Sequence, residues 1–346
     1  MAAVIIHNDL ASKEITVPLT TGAQTIDLSS LLEHDDPKIV VIVGTNTVTG
    51  VMGVYPVGSL MAFKTRNHIA NSTMISPSSL NGSNQVVIHK TAATQKFYLH
   101  AEFGGDSVTA HSDGVACSYT ANTWTKNLLS GGGDGEFAIT RTHFNNGGNW
   151  GCRSLNSVNP NTAQPNQSHD WGVVKVQNDG TNNVYWTYQN RSGKTPTRQV
   201  YIYEMGYMSS DCGWNHMEDD VDEVVTTVGS WDQEGITGTS LEGNDSADAD
   251  IALMHIDNAN SSNRDAWVRE ISGSEATKKF PNNAGRRVLA SITASEYEYY
   301  ISHIDVNNYV QGFFIAPAVT GVDVSNISGY CRLEEPTTSD RLRTKE

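Results

Sequence analysis

Ile39-Val40-Val41-Ile42-Val43 reads as an apolar strand, because branched apolar side chains suit a pleated, packed surface. Two later runs share its character, Phe137-Ala138-Ile139-Thr140 and Ile251-Ala252-Leu253-Met254-His255-Ile256. Each is followed by a second landmark, a central strand before a polar turn: Val86-Val87-Ile88-His89, Val184-Tyr185-Trp186-Thr187-Tyr188 and Tyr297-Glu298-Tyr299-Tyr300-Ile301. A third landmark closes each set with an aromatic strand: Phe97-Tyr98-Leu99-His100-Ala101, Val200-Tyr201-Ile202-Tyr203-Glu204 and Gly312-Phe313-Phe314-Ile315-Ala316. The landmarks recur in one order at intervals of roughly a hundred residues, the size of a common two-sheet sandwich. One ancestral module copied twice is the simplest explanation, and the expected fold is all-β: tandem antiparallel β-sandwiches, jelly-roll or immunoglobulin-like in topology.

Working outward, 346 residues suffice for two or three domains with their own cores. The expected division is an N-terminal arm at 1–28, modules at 29–116 and 117–210, an acidic linker with a third module at 211–333, and a polar tail at 334–346. Asn81-Gly82, Gly104-Gly105, Asn146-Gly147-Gly148, Asp179-Gly180 and Asn282-Asn283 supply turns that need positive φ. The arm holds Glu14-Ile15-Thr16-Val17-Pro18-Leu19 and Gln24-Thr25-Ile26-Asp27-Leu28, enough for one or two strands that complete a neighbouring sheet. One helix competes with the third module's second landmark: Thr293-Ala294-Ser295-Glu296 has capping-box form, with Tyr297, Tyr300, Ile301 and Ile304 at helical spacing behind it. The acidic run Met217 to Val225 allows at most a short helical turn.

Only 18% of residues are charged, so the chain's polarity comes from Asn, Ser, Thr and Gly, a balance suited to strands and loops. The formal charge of −15 opposes broad contact with nucleic acid or an anionic membrane. The opening Met1 to Asn8 lacks a basic region and a signal-length apolar core, and no run of eighteen apolar residues occurs, so the expectation is a protein made in a cytoplasm. Cys117, Cys152, Cys212 and Cys331 are far apart and lack zinc-site spacing. They read as four thiols partly buried in β structure, with a disulfide between modules only in an oxidising exterior.

No GxSxG, HExxH or GxGxxG motif is present. Gly193-Lys194-Thr195 has the end of a P-loop, but Tyr188 replaces its first glycine and Pro196 follows; the run Gly131 to Gly135 leads into a strand and offers phosphate no helix N-terminus. His303 and Asp305 would share one strand face, yet two ligands do not make a metal site. Calcium is a further reading for Asp211, Glu218, Asp219, Asp220 and Asp222 and for the loop Asp245 to Asp250, against a plain solvated acidic linker. No catalytic residue, metal site or cofactor is assigned. Aromatic faces stack on sugar rings and amides bond hydroxyls, so Trp150 with Asn145, Asn146 and Asn149, and Trp171 with His169 and Asp170, are the candidate glycan contacts. Core packing explains the same tryptophans equally well.

In texture the chain resembles structural proteins of tailed bacteriophages: acidic balance, Asn/Gly/Thr-rich tandem β modules, a strand-forming arm and no catalytic motif. The resemblance covers the whole chain and supplies no motif from which a site could be transferred. It implies a non-enzymatic virion component of the capsid decoration or tail/fibre accessory type, partnered by copies of itself and other virion proteins. A homo-oligomer follows, with a trimer by analogy to phage appendages, since several exposed strand edges need cover. A carbohydrate-binding β-sandwich protein that meets a cell-surface glycan is the alternative, and a glycan-degrading enzyme, which needs a carboxylate pair across a cleft, is the third class.

Overall fold

The structure is a computed structural model describing residues 4–7, 12–18, 20–62, 64–68, 73–121, 123–131, 135–144, 150–155, 170–189, 200–209, 212, 214–222, 231–235, 251–258, 264–270, 289–292, 296–303, 309–315 and 322–331, and from residue 214 on it is the backbone that is described. The first module runs through β1 (Val4–Ile6), β2 (Glu14–Ile15), β3 (Gly22–Asp27), β4 (Pro37–Thr45), β5 (Gly50–Pro56), β6 (Arg66–His68), β7 (Thr73–Ser79), β8 (Gln85–Lys90) and β9 (Lys96–Gly104). The second comprises β10 (Val108–Ala116), β11 (Thr125–Leu128), β12 (Gly135–Phe144), β13 (Trp150–Arg153), β14 (Asp170–Lys175), β15 (Gln177–Asn178), β16 (Asn183–Gln189) and β17 (Val200–Ser209). The third comprises β18 (Trp214–Asp222), β19 (Trp231–Gly235), β20 (Ile251–Asn258), β21 (Arg264–Glu270), β22 (Leu289–Ile292), β23 (Glu296–His303), β24 (Tyr309–Ile315) and β25 (Val322–Cys331).

Strand order identifies the architecture. The first module forms the antiparallel sheets β1-β9-β4-β7, with β2 also on β9, and β3-β8-β5-β6. The third forms β18-β25-β20-β23 and β19-β24-β21-β22; the second forms β10-β17-β12-β14 and β11-β16-β13, with β15 beside β16. With β1 and β2 counted as one strand, the first and third modules put their first, last, third and sixth strands in one sheet and their second, seventh, fourth and fifth in the other. The second module follows the same order, with residues 156–169, between β13 and β14, outside the described residues. This interleaving of chain ends is the jelly roll, and an immunoglobulin-like sandwich would pair its first two strands in one sheet.

A shared irregularity reinforces the repeat. Each last strand carries a bulge against the third strand, at His100, Met205 and Ser328. Opposite that bulge the register of each first strand is interrupted: between Ala110 and Val115 in β10, between His216 and Val221 in β18, and in the first module between the pairings of β1 and β2 with β9. The flanks of that gap are tied to β9 by His7 N–H donating to the His100 carbonyl and Leu99 N–H to that of Lys13. An extra unpaired residue bends the strand and sharpens its twist, and the device recurs at one point of the strand order in all three modules.

The pairing corrects several expectations. The segment at 1–28 is no separate arm: β1 and β2 pair with β9 and β3 with β8, inside the first module. Residues 108–116 belong to the second module, because β10 pairs with β17. The first landmark falls on the third strand in all three modules, but the third copies of the other two slip by one: Tyr297 to Ile301 lies in the sixth strand, β23, and Gly312 to Ile315 in the seventh, β24. The helix proposed after Thr293 is absent, since residues 296–303 pair along their whole length with β20. The acidic run is likewise strand through Asp222.

The run at Ile39 to Val43 is apolar without alternation because both its faces are covered, and all five residues are fully buried. Val40 and Ile42 face the first module's interior, with Met52, Val54, Ile88 and Leu99. Ile39, on the opposite face, lies against the second module. A Cβ on Gly206 would stand 2.8 Å from Ile39 Cδ1 and collide with the Thr109 carbonyl, so only glycine permits this approach. Phe103 meets Trp171 edge-on at 6.2 Å. Ser79 Oγ donates to the Met205 carbonyl at 3.3 Å, and Arg141 Nη1 to the Pro77 carbonyl at 3.2 Å. Burial lowers the Arg141 guanidinium to about 9, with Tyr203 opposing, which leaves it charged at neutral pH. The β22 and β23 backbones lie against β7, β14 and β1, so the third module touches both others.

Candidate functional site

Of the nominated glycan residues, Trp150, Asp170 and Trp171 are described, and Trp150 lies in a different sheet from the other two. Trp171, in β14, has no exposed surface and belongs to the packing between modules, so it offers no face to a sugar. Trp150 is in the other sheet of the second module, its backbone opposite Gln189 of β16, while Asp170 stands opposite Thr142 of β12. Asn145, Asn146, Asn149 and His169 lie outside the described residues. So do Asp305, the loop at Asp245 and the lysine of the P-loop-like segment; His303 pairs with Ile251 at the end of β23. Among the described residues no three His, Cys, Asp or Glu side chains form a metal cluster.

The solvent side of β11, β16 and β13 instead assembles an aromatic and cationic platform. Along β16, Tyr185 and Thr187 are buried while Trp186 and Tyr188 are half-buried on the opposite face. Register puts Lys126 of β11 and Arg153 of β13 on either side of Trp186. The Arg153 guanidinium carbon lies 4.1 Å from the centre of the Trp124 ring, which meets Tyr188 at 5.4 Å. Lys126 Nζ lies 6.0 Å from the centre of the Trp186 ring and 2.9 Å from Asp179 Oδ2. The N–H of Asn182, then Lys126 and the N–H of Thr181, hold the Asp179 carboxyl down at about 2. Beyond the platform a cleft of about 370 Å³ is lined by Leu128, Leu129, Asn178, Thr181, Asn182 and Asn183. The alternation that builds this face is visible in Val184-Tyr185-Trp186-Thr187-Tyr188 and in Trp124-Thr125-Lys126, a signal that a lone tryptophan does not carry.

Two buried carboxylates mark the module interiors. Glu102 of β9 is wholly buried, with His7 Nε2 at 2.6 Å and the N–H groups of Glu33 and His34 donating at 3.0 and 3.1 Å. Burial pushes its carboxyl up, but the bonds from His7, Glu33 and His34 outweigh that and hold it below its ordinary value. Glu204 of β17 is built alike: His111 Nε2 at 2.8 Å, the Ser130 N–H at 3.0 Å and the Tyr185 hydroxyl donating at 2.8 Å. In both modules a last-strand glutamate ties a first-strand histidine to the link between second and third strands. Sequence spacing conceals these pairs, whose members lie about ninety or more positions apart.

Cys117 adjoins the second cluster, its Sγ 3.2 Å from the Tyr185 hydroxyl. Burial first, and the Glu204 charge against the help of its hydrogen bonds, push the thiol up to about 12. A thiol so raised is the reverse of an activated nucleophile. Iodoacetamide at pH 8 is therefore expected to leave Cys117 unmodified in the native protein and to alkylate it after denaturation. Peptide mass spectrometry reads the difference, and rapid native labelling would contradict the assigned environment.

No family model and no curated protein matches the chain. Among solved structures it is similar to a chain described under "The Triple Jelly Roll Fold and Turret Assembly in an Archaeal Virus", with 11% identity, a TM-score of 0.21, and coverage of 95% of this chain and 89% of that one. The fold assignment rests on the strand order of the chain itself: it is an all-β protein of three tandem antiparallel jelly-roll modules.

Proposed function

We propose that the chain is a non-enzymatic structural protein of a virus particle, acting through assembly with copies of itself and with other virion proteins. The observation that carries this reading is the fusion of jelly rolls through buried apolar faces, represented by Ile39, Phe103, Gly206 and Trp171. Such joints build a stiff block rather than modules on flexible linkers, and jelly rolls are a recurrent unit of viral capsids. Buried polar groups at Glu102 and Glu204 tie strands together inside that block. The more specific form of the reading, a capsid decoration or tail/fibre accessory protein of a tailed phage, draws on composition and texture. A homo-oligomer, a trimer by analogy, belongs to the same proposal.

Light scattering coupled to size exclusion tests it. A discrete oligomer of the 37.6 kDa chain, unchanged by a calcium chelator, is the expected result. A monomer that persists at high concentration would overturn the assembly reading, and dissociation on chelation would assign the assembly to a cation.

A further inference from the structure

We infer that the outward face of β11, β16 and β13 binds an acidic oligosaccharide, with Trp124, Trp186 and Tyr188 as the aromatic floor and Arg153 and Lys126 as carboxylate partners. This inference stands apart from the virion reading and uses none of the packing between modules.

Three observations converge on that ligand. Half-buried rings on one sheet face give rigid apolar area at small entropic cost, suited to the C–H faces of pyranose rings. The cations are positioned by those rings: Arg153 lies over Trp124 and Lys126 over Trp186. A guanidinium, unlike an ammonium, can match a planar carboxylate with two parallel N–H donors. The neighbouring cleft adds the side chains of Asn178, Asn182 and Asn183 and the Thr181 hydroxyl, donors and acceptors of the kind that ring hydroxyls require.

Charge selects the acidic class of sugar. The chain carries a formal −15, yet the charged side chains described on this face are Arg153 and the Lys126–Asp179 ion pair, which leaves one positive charge, on Arg153, in excess among the described residues. An acidic glycan is repelled from much of the protein and admitted here, while a neutral glycan gains nothing from Arg153.

The test titrates the full chain with sialyllactose, with hexagalacturonate and with neutral maltohexaose, followed by tryptophan fluorescence and calorimetry. Saturable binding of at least one acidic sugar is expected, weakened by added salt, with maltohexaose much weaker. Trp186→Ala and Arg153→Gln should each reduce affinity by about tenfold or more. Thermal midpoints check folding, and if Trp186→Ala lowers its midpoint the comparison rests on Arg153→Gln. No saturation by either acidic sugar up to about 10 mM would overturn the inference. So would equal binding of maltohexaose, or unchanged affinity in Arg153→Gln.

Discussion

Trp171→Ala is expected to lower the unfolding free energy by about 3–5 kcal/mol, the usual cost of emptying a large buried aromatic site. The indole is fully buried in β14 and meets Phe103 of the first module edge-on, so truncation leaves a cavity between two packed sheets. Because the loss falls on a joint, the first and second modules should also melt less cooperatively. Urea unfolding followed by circular dichroism measures both effects. Trp186→Ala provides the contrast, since its half-buried ring should cost much less. A loss below about 1 kcal/mol at Trp171 would place that indole at a surface.

Glu102→Gln is expected to remove a distinct part of the acid sensitivity. The Glu102 carboxyl lies below its ordinary value of 4.5 in the folded chain, so ionisation favours folding. That stabilisation is complete above the unfolded value, falls as pH drops toward the folded value, and is gone below it. At neutral pH the amide loses the charge-assisted bonds from His7, Glu33 and His34, a cost of about 1.5–3 kcal/mol. Wild type and variant should therefore differ at pH 7 and converge as pH falls below the carboxylate range. Chemical denaturation at a series of pH values checks this, and a constant gap across the series would mean that Glu102 does not titrate with folding.

Much of the fold is legible in the sequence because burial leaves its mark on composition. Ile39 to Val43 and Phe137 to Thr140 are continuous rather than alternating runs, and the structure covers both faces of each. Trp171 stands just ahead of the similar apolar pair Val173 and Val174, and its complete burial agrees with the core-packing explanation rather than with a glycan contact. What composition does not carry is partner choice. Nothing in Tyr297 to Ile301 distinguishes a sixth strand from a seventh, since both are aromatic and both are strands, and the third module's landmarks slip for that reason. Nor does Val4 to Ile6 announce that its partner lies at Ala101 to Phe103. Jelly-roll topology is made of such long-range pairings, which is why the sequence leaves it open beside the immunoglobulin-like alternative.

The site follows the same division. Alternation within one strand separates Trp186 and Tyr188 from Tyr185 and Thr187, so the platform's central row is readable. The approach of Arg153 to Trp124 depends on β13 joining β16, and no spacing rule reveals it. The Glu102–His7 and Glu204–His111 pairs depend in the same way on chain ends meeting within one sheet.

Three jelly rolls share one strand order, and the first two are fused through the sheets that hold their first and last strands. An electron-density or cryo-EM map of the full chain at side-chain resolution tests it most directly. The map should show the last strand of each module between its first and third, with Trp171 enclosed against Phe103; a first strand paired to its second in one sheet, or Trp171 facing solvent, would contradict it.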